Sequence, residues 1–252
     1  MRIFDLQGKT AIVTGGNKGL GLGMTEALCE AGATVVMLAS SSQVLDLAKD
    51  LRSQGMKVYG VQGDLADRDS LPRVFATAVE LLGGHLDILV NNAGIQRRNK
   101  AEVFTQSDWD EVLNVNLNAV FTLCQLAGNL MLAHGGGKII NVASLLSFFG
   151  GITVPAYAAS KGAVMQLTKA LSNEWASRGI CVNAIAPGYM DTEMNVNLVN
   201  DSKRNAEISA RIPKGRWGTA DDMKGLVVFL ASPASDYICG ITIPVDGGYM
   251  AR

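Results

Sequence analysis

Tyr157 and Lys161 stand four residues apart in a segment of helical pattern, so their side chains share one face. A phenol with its ordinary pKa of about 10 is a poor base at neutral pH. An ammonium one turn away favours the phenolate and could let the pair pass a proton to or from an oxygen. Ser144 lies thirteen residues earlier, at the end of an apolar run, and Asn116 falls in a long preceding helical segment. A second feature would bind rather than react. Thr14-Gly15-Gly16-Asn17-Lys18-Gly19-Leu20-Gly21 follows a short β-rich run and leads straight into a helix. Glycines let a backbone turn sharply and approach a pyrophosphate, and a helix N-terminus supplies free N–H groups and a positive dipole end. The spacing is TGxxxGxG; it is neither GxGxxG nor a P-loop, since no GK[ST] closes it.

These residues need a frame that brings them together. Seven β-rich runs, at 10–14, 34–38, 58–62, 86–90, 138–142, 181–185 and 241–245, alternate with helical patterns at 20–31, 44–54, 71–82, 109–133, 156–177 and 221–231. Most of the runs are continuously apolar, as expected of strands covered on both faces. The alternation predicts one doubly wound α/β domain over 1–252, with a mostly parallel seven-stranded sheet and helices on both faces. Only 191–216 breaks the rhythm. It is polar and Asn-rich, and reads either as a lid over a site or as a surface excursion.

Composition removes several other functions. The 252 residues carry 22 Lys+Arg against 23 Asp+Glu, so no basic excess exists to hold a nucleic acid. Stretches 112–137 and 139–160 lack all charged residues, yet their asparagines, glycines and Pro155 argue for buried soluble segments rather than membrane spans. Cys29, Cys124, Cys181 and Cys239 show no CxxC or zinc spacing and read as buried free thiols of a reducing, cytoplasmic compartment. The opening MRIFDLQGKT lacks the apolar core of a secretory leader. His85 and His134 stand far from any acidic pair at metal spacing, and GxSxG is missing, so neither a metal site nor a hydrolase elbow is expected.

The order of these motifs resembles that of the short-chain dehydrogenase/reductase family. Asp64-Leu65 follows the third strand, Asn91-Asn92-Ala93-Gly94 the fourth, and Pro187-Gly188 the sixth, leading to Met190 and Thr192. In an open α/β sheet, loops at such strand ends surround the ligand crevice. The resemblance implies an NAD(P)-dependent oxidoreductase interconverting a secondary alcohol and a ketone. It implies that Tyr157 passes the proton, Ser144 hydrogen-bonds the substrate oxygen, Lys161 grips the nicotinamide ribose and tunes the tyrosine, and Asn116 anchors a relay water. It also implies that Asp64 and Leu65 meet the adenine, that Asn91, Ala93 and Gly94 line the crevice, and that Thr192 holds the carboxamide. Related enzymes pair their long helices as homotetramers.

Cofactor and substrate preferences are read from charge. The residue ending the second strand is Ala39, followed by Ser40 and Ser41, where a carboxylate would accept from the ribose of NAD. With Lys18 in the glycine turn, this favours NADP(H) slightly over NAD(H). The stretches 91–99, 138–161, 183–195, 211–218 and 245–252 resemble the family's sugar-acid branch, which is generally NAD-linked and acts on compounds such as 2-deoxy-D-gluconate and 2-dehydro-3-deoxy-D-gluconate. A sugar acid calls for a counter-charge, for which Arg97 and Arg98 are the candidates, with Met190, Glu193, Asn195 and Arg216 behind them. Solvated surface arginines are the alternative for each. Two other readings remain: a reductase of carrier thioesters or hydrophobic ketones, and a dinucleotide sensor without turnover.

Overall fold

Short runs of Val, Ile, Leu and Ala become strands here because both of their faces are covered, which only a sheet between two helical layers allows. In the computed structural model, which describes residues 2–252, they are β1 (Thr10–Thr14), β2 (Thr34–Ala39), β3 (Val58–Gln62), β4 (Ile88–Asn91), β5 (Gly137–Val142), β6 (Ile180–Pro187) and β7 (Thr242–Val245). All pair in parallel, in the order β3-β2-β1-β4-β5-β6-β7. The sheet is thus wholly parallel.

Alternate side chains feed two cores. On one face, Val13, Val35, Met37 and Ile140 pack with α1 (Gly19–Glu30), α2 (Gln43–Ser53) and α9 (Asp221–Ala231). On the other, Ile12, Val36, Leu38 and Ile139 pack with α3 (Leu71–Leu81), α5 (Ala119–Ala133) and α6 (Pro155–Trp175). The chain winds outward from β1 to β3, then crosses back to place β4 beside β1. Their carboxyl ends therefore diverge into opposite-going connections, which opens a crevice at the switch point.

Two segments depart from the pattern expected at 109–133 and 191–216. The long helix is not continuous: α4 (Gln106–Leu113) passes through a π-helical turn at Asn114–Asn118 before α5 begins. Such turns insert a residue into the helical ladder and re-aim the side chains around it. The polar segment folds as α7 (Val196–Asn200) and α8 (Ser202–Arg211). It is anchored because Ile208 and Ile212 bury against Leu145 and Tyr249, while Asp201 caps α8 by accepting from the amides of Lys203 and Arg204. The helical stretch 106–133 is long and apolar enough to cross a membrane, yet half of its most apolar window is buried within the fold.

Candidate active site

The glycine turn closes β1 onto α1. Gly15 and Gly19 have φ of +62° and +51°, a region that favours glycine. The first intrahelical bond runs from the Leu22 amide to the Lys18 carbonyl, so the amides of Gly19, Leu20 and Gly21 precede it. Lys18 occupies the N-cap position without a capping side-chain bond. This uncapped, glycine-lined helix start suits a pyrophosphate. Any side chain at Gly21 would strike the Gly15 carbonyl oxygen, 2.0 Å from a Cβ placed there. Thr14, quoted in the motif but given no role by sequence reasoning, fastens this turn to the next loop: its Oγ1 accepts from the amides of Asn92 and Ala93, both at 3.0 Å. The Asn92 side chain returns the contact, donating to the carbonyls of Thr14 and Gly15.

Beyond Asn92, Gly94 brings the loop against Asn116 and Lys161. A Cβ at Gly94 would lie 3.3 Å from Asn116 Oδ1 and 3.7 Å from Lys161 Nζ. Asn116 is fully buried in the π turn; its Oδ1 accepts from the Ile95 amide, and its Nδ2 donates to the Ile95 carbonyl and to Ser160 Oγ. Both hydrogens of its side-chain amide and one lone pair of its oxygen thus fix the loop after β4 to α6. Asn91 likewise turns inward, donating to Asn141 Oδ1 and lying against Cys124, so its side chain does not face the crevice as the family pattern implied. Leu20 and Leu65 pack into the cores, leaving their backbones for any ligand contact.

Ser144 caps a short turn after β5, and Ser147 ties that turn to α6 by donating to the Lys161 carbonyl at 2.7 Å. Ser144 and Tyr157 share a hydrogen bond. Lys161 Nζ is buried, 5.7 Å from the centre of the Tyr157 ring, and donates to the Val142 carbonyl at 2.6 Å. Asn116, Ser144, Tyr157 and Lys161 are therefore gathered at one point. Their ionisation differs from the sequence expectation. Burial pushes the Tyr157 phenol above its usual value, and only the Ser144 hydrogen bond opposes it. Burial also lowers the Lys161 ammonium to about 8. Burial thus disfavours the phenolate at Tyr157, while Lys161, though lowered, still carries its charge at neutral pH.

The remaining candidates divide. Thr192 reaches over the glycine turn, its Cγ2 3.9 Å from a Cβ placed on Gly19. Lys18 and Glu193, 175 positions apart, form an exposed ion pair at 2.7 Å. Ser40, Ser41 and Asp64 are exposed beyond β2 and β3, with Asp64 accepting from the Ala66 amide. Pro187 ends β6, and Gly188 lies so close to Asp246 that a Cβ would touch its backbone. Met190, expected to face a ligand, is instead buried in the core and pressed against Gly218. Arg97 is clasped by Glu111, with bonds of 2.8 and 2.6 Å, and Arg216 is clasped by Asp222, so each has its carboxylate already. Arg98 differs: it donates to the neutral Thr153 Oγ1 and Ile152 carbonyl and forms no ion pair among the described residues. Asn195 Nδ2 is spent on the Met190 carbonyl.

Comparison with known proteins shows the family of this fold. The family model described as short chain dehydrogenase matches residues 9–203. The chain belongs to the short-chain dehydrogenase family. It is an oxidoreductase acting on CH–OH groups with NAD or NADP. It is 50% identical over 249 residues to the 2-dehydro-3-deoxy-D-gluconate 5-dehydrogenase of Bacillus subtilis (strain 168), covering 99% of this chain and 97% of that one. A Beutenbergia cavernae structure assigned as an NAD(P)-dependent gluconate 5-dehydrogenase, with NADP bound at low occupancy, superposes with a TM-score of 0.95 at 46% identity, covering 99% of this chain and 100% of that one. A gluconate 5-dehydrogenase from Burkholderia cenocepacia J2315, in complex with NADP and tartrate, gives 0.95 at 40% identity, covering 99% and 98%.

Proposed function

We propose that the enzyme interconverts a secondary alcohol and a ketone on a ring-opened sugar acid such as 2-dehydro-3-deoxy-D-gluconate or 2-deoxy-D-gluconate, using NADP(H) in preference to NAD(H). The observation that carries the reading is the convergence of Ser144, Tyr157 and Lys161 behind a glycine turn reached through Gly94. When bound, the dinucleotide supplies or takes the hydride. The amides of Gly19, Leu20 and Gly21 hold its pyrophosphate, and Lys161 and Thr192 orient its nicotinamide half. Ser144 Oγ and the Tyr157 hydroxyl hold the substrate oxygen, and Tyr157 moves the proton at that atom. Asn116 acts through the Ile95 backbone and Ser160, keeping the loop after β4 in register with α6. NADP is supported by the absence of a carboxylate after β2 and by the relatives that bind NADP. The tartrate complex of a relative supports an acidic substrate.

Arg98 meets the substrate carboxylate, because its guanidinium charge is not already balanced by a carboxylate of the chain, whereas those of Arg97 and Arg216 are. The 191–216 segment acts as the lid, carrying Thr192 over the glycine turn. The protein works in the cytoplasm as a homotetramer, with the exposed side of apolar α5, including Phe121 at 44% exposure, against a second copy. A hydrophobic ketone is the second reading, favoured by the exposed Phe148, Phe149 and Ile152 on the segment that Arg98 braces. One assay separates them: kcat/KM for sugar acids and apolar ketones with each cofactor, followed at the reduced-nicotinamide band. Turnover of sugar acids with NADP sustains the proposal; turnover confined to apolar ketones, or to NAD, ends it.

A further inference from the structure

Cys239 and Thr153 both depart from what their residue types lead one to expect. Cys239 is exposed, which corrects the expectation that all four cysteines are buried. Thr153 departs in its backbone. Its φ is +65°, and every other described residue with a positive φ is a glycine. A β-branched residue in that region crowds its Cβ against its own backbone, so the conformation persists only where the surroundings hold it. Thr153 is held from two sides. Its carbonyl accepts from the Asn99 amide at 2.9 Å. Its Oγ1 accepts from Arg98 Nη1 at 3.1 Å and donates to the Ile152 carbonyl at 2.6 Å. These bonds tie the stretch that follows the loop after β4 to the residues just before α6, the helix that carries Tyr157.

The same bonds set the direction of one guanidinium. Nη1 of Arg98 donates to Thr153 Oγ1 and to the Ile152 carbonyl, and Nη2 donates to Gln96 Oε1 at 3.3 Å. That engages three of the five N–H donors of an arginine. Among the described residues nothing accepts from Nε–H or from the second Nη2–H, and Nε and Nη2 lie side by side on one edge of the planar group. Arg97 shows what that edge grips: its Nε and Nη2 donate to the two carboxylate oxygens of Glu111, at 2.8 and 2.6 Å. We propose that Thr153 is a positioning residue that sets specificity for acids. Held in its strained conformation, its hydroxyl leaves the Nε/Nη2 edge of Arg98 free to take a substrate carboxylate in the bidentate manner in which Arg97 takes Glu111. This rests on the reading that Arg98 meets the substrate carboxylate. Glycine would adopt the same φ without strain but would bring no hydroxyl to Arg98.

The test compares Thr153→Ser, Thr153→Ala and Thr153→Gly in the purified full chain, with Arg98→Ala alongside. Kinetics read the hydroxyl. Ala and Gly at 153 raise KM for a sugar acid about 2–10-fold, the worth of one hydrogen bond, and leave KM for a neutral ketone and the NADP Kd unchanged. Ser, which keeps the hydroxyl, retains the wild-type KM. Melting reads the strain. The Ala and Gly variants both lack the hydroxyl and differ by one Cβ, so Gly melts about 2–4 °C above Ala, the reverse of their order at an ordinary φ. If Ala and Gly keep the wild-type KM while Arg98→Ala raises it for acids alone, the positioning role is overturned and the carboxylate reading stands. If Arg98→Ala shows no preference for acids, both fall. A rise in KM for acid and neutral ketone alike marks a merely structural residue and overturns the proposal. So does a Ser variant that behaves as Ala, or a Gly variant that melts below Ala.

Discussion

Replacing Gly21 with Ala tests the glycine turn at its tightest point. The new methyl would sit 2.0 Å from the Gly15 carbonyl oxygen, 2.5 Å from Asn92 Nδ2 and 2.8 Å from the Gly15 carbonyl carbon. None of these is the free end of a flexible side chain. The Asn92 amide is held by the carbonyls of Thr14 and Gly15, at 2.9 and 3.2 Å. Relief to ordinary contact therefore moves the turn by about 1 Å. Overpacking of this kind costs about 1–3 kcal/mol, and a weakened Asn92 hydrogen bond adds about 1 kcal/mol. The better helix propensity of Ala returns about 1 kcal/mol. The net loss of about 1–3 kcal/mol lowers Tm by about 3–10 °C for a chain of this size. The same displacement misplaces the amides of Gly19 and Leu20, and losing one charge-assisted bond of about 1.5–3 kcal/mol weakens NADP binding roughly 10–100-fold. Differential scanning fluorimetry and a fluorescence titration with NADP read both effects. Gly225→Ala on α9, where nothing lies within 4 Å, is the matched control and keeps or slightly raises Tm. If Gly21→Ala bound NADP as tightly as wild type and melted at the same temperature, the reasoning about this turn would be refuted.

Three further outcomes are expected. Tyr157→Phe removes the proton-carrying hydroxyl and lowers kcat by about 10²–10⁴-fold, while calorimetry finds the NADP Kd within about twofold of wild type because the ring still packs. Arg98→Ala raises KM for a sugar acid about tenfold or more, the worth of one guanidinium–carboxylate contact, and leaves KM for a neutral ketone unchanged; Arg97→Ala, which frees Glu111, does not reproduce that split. Lys161→Met changes how stability responds to alkali. Lys161 is lowered from 10.5 to about 8 in the fold, so the unfolded chain binds the extra proton between those values and wild-type stability rises with pH across that window. Urea unfolding at pH 7.5 and 9.5 should show wild type gaining about 2 kcal/mol relative to Lys161→Met, and parallel pH profiles for the two would show that the lysine is not desolvated.

The strands were legible because parallel, doubly covered strands write themselves as unbroken apolar runs, and α9 and β3 begin and end where the pattern put them. The Tyr157–Lys161 spacing and the glycine turn were legible for the same reason: local geometry fixes which residues share a face or a bend. What could not be read was partner choice between distant segments. Arg97 and Arg98 are adjacent and chemically identical, yet Glu111 claims one and Thr153 the other. Met190 lies in a polar neighbourhood of the chain but is drawn into the core by a bridge to Gly218. The π turn at Asn114–Asn118 left a weak trace, three asparagines at alternate positions where a smooth amphipathic helix would vary its faces differently.

Burial of Tyr157 and Lys161, the proposed catalytic pair, has a directional consequence. Desolvation raises Tyr157 and lowers Lys161, so both groups are biased towards their uncharged forms, and at neutral pH the tyrosine holds its proton. A phenol that keeps its proton is ready to give it to an oxygen gaining an electron pair, and unready to take one from an alcohol. Ketone reduction should therefore run well at neutral pH and fall as pH rises. Alcohol oxidation should climb with pH, because it needs the phenolate that burial disfavours. Measuring kcat/KM in both directions from pH 6 to 10, with saturating cofactor, would show two limbs of opposite slope. Limbs of the same sign would mean that a group other than Tyr157 carries the proton.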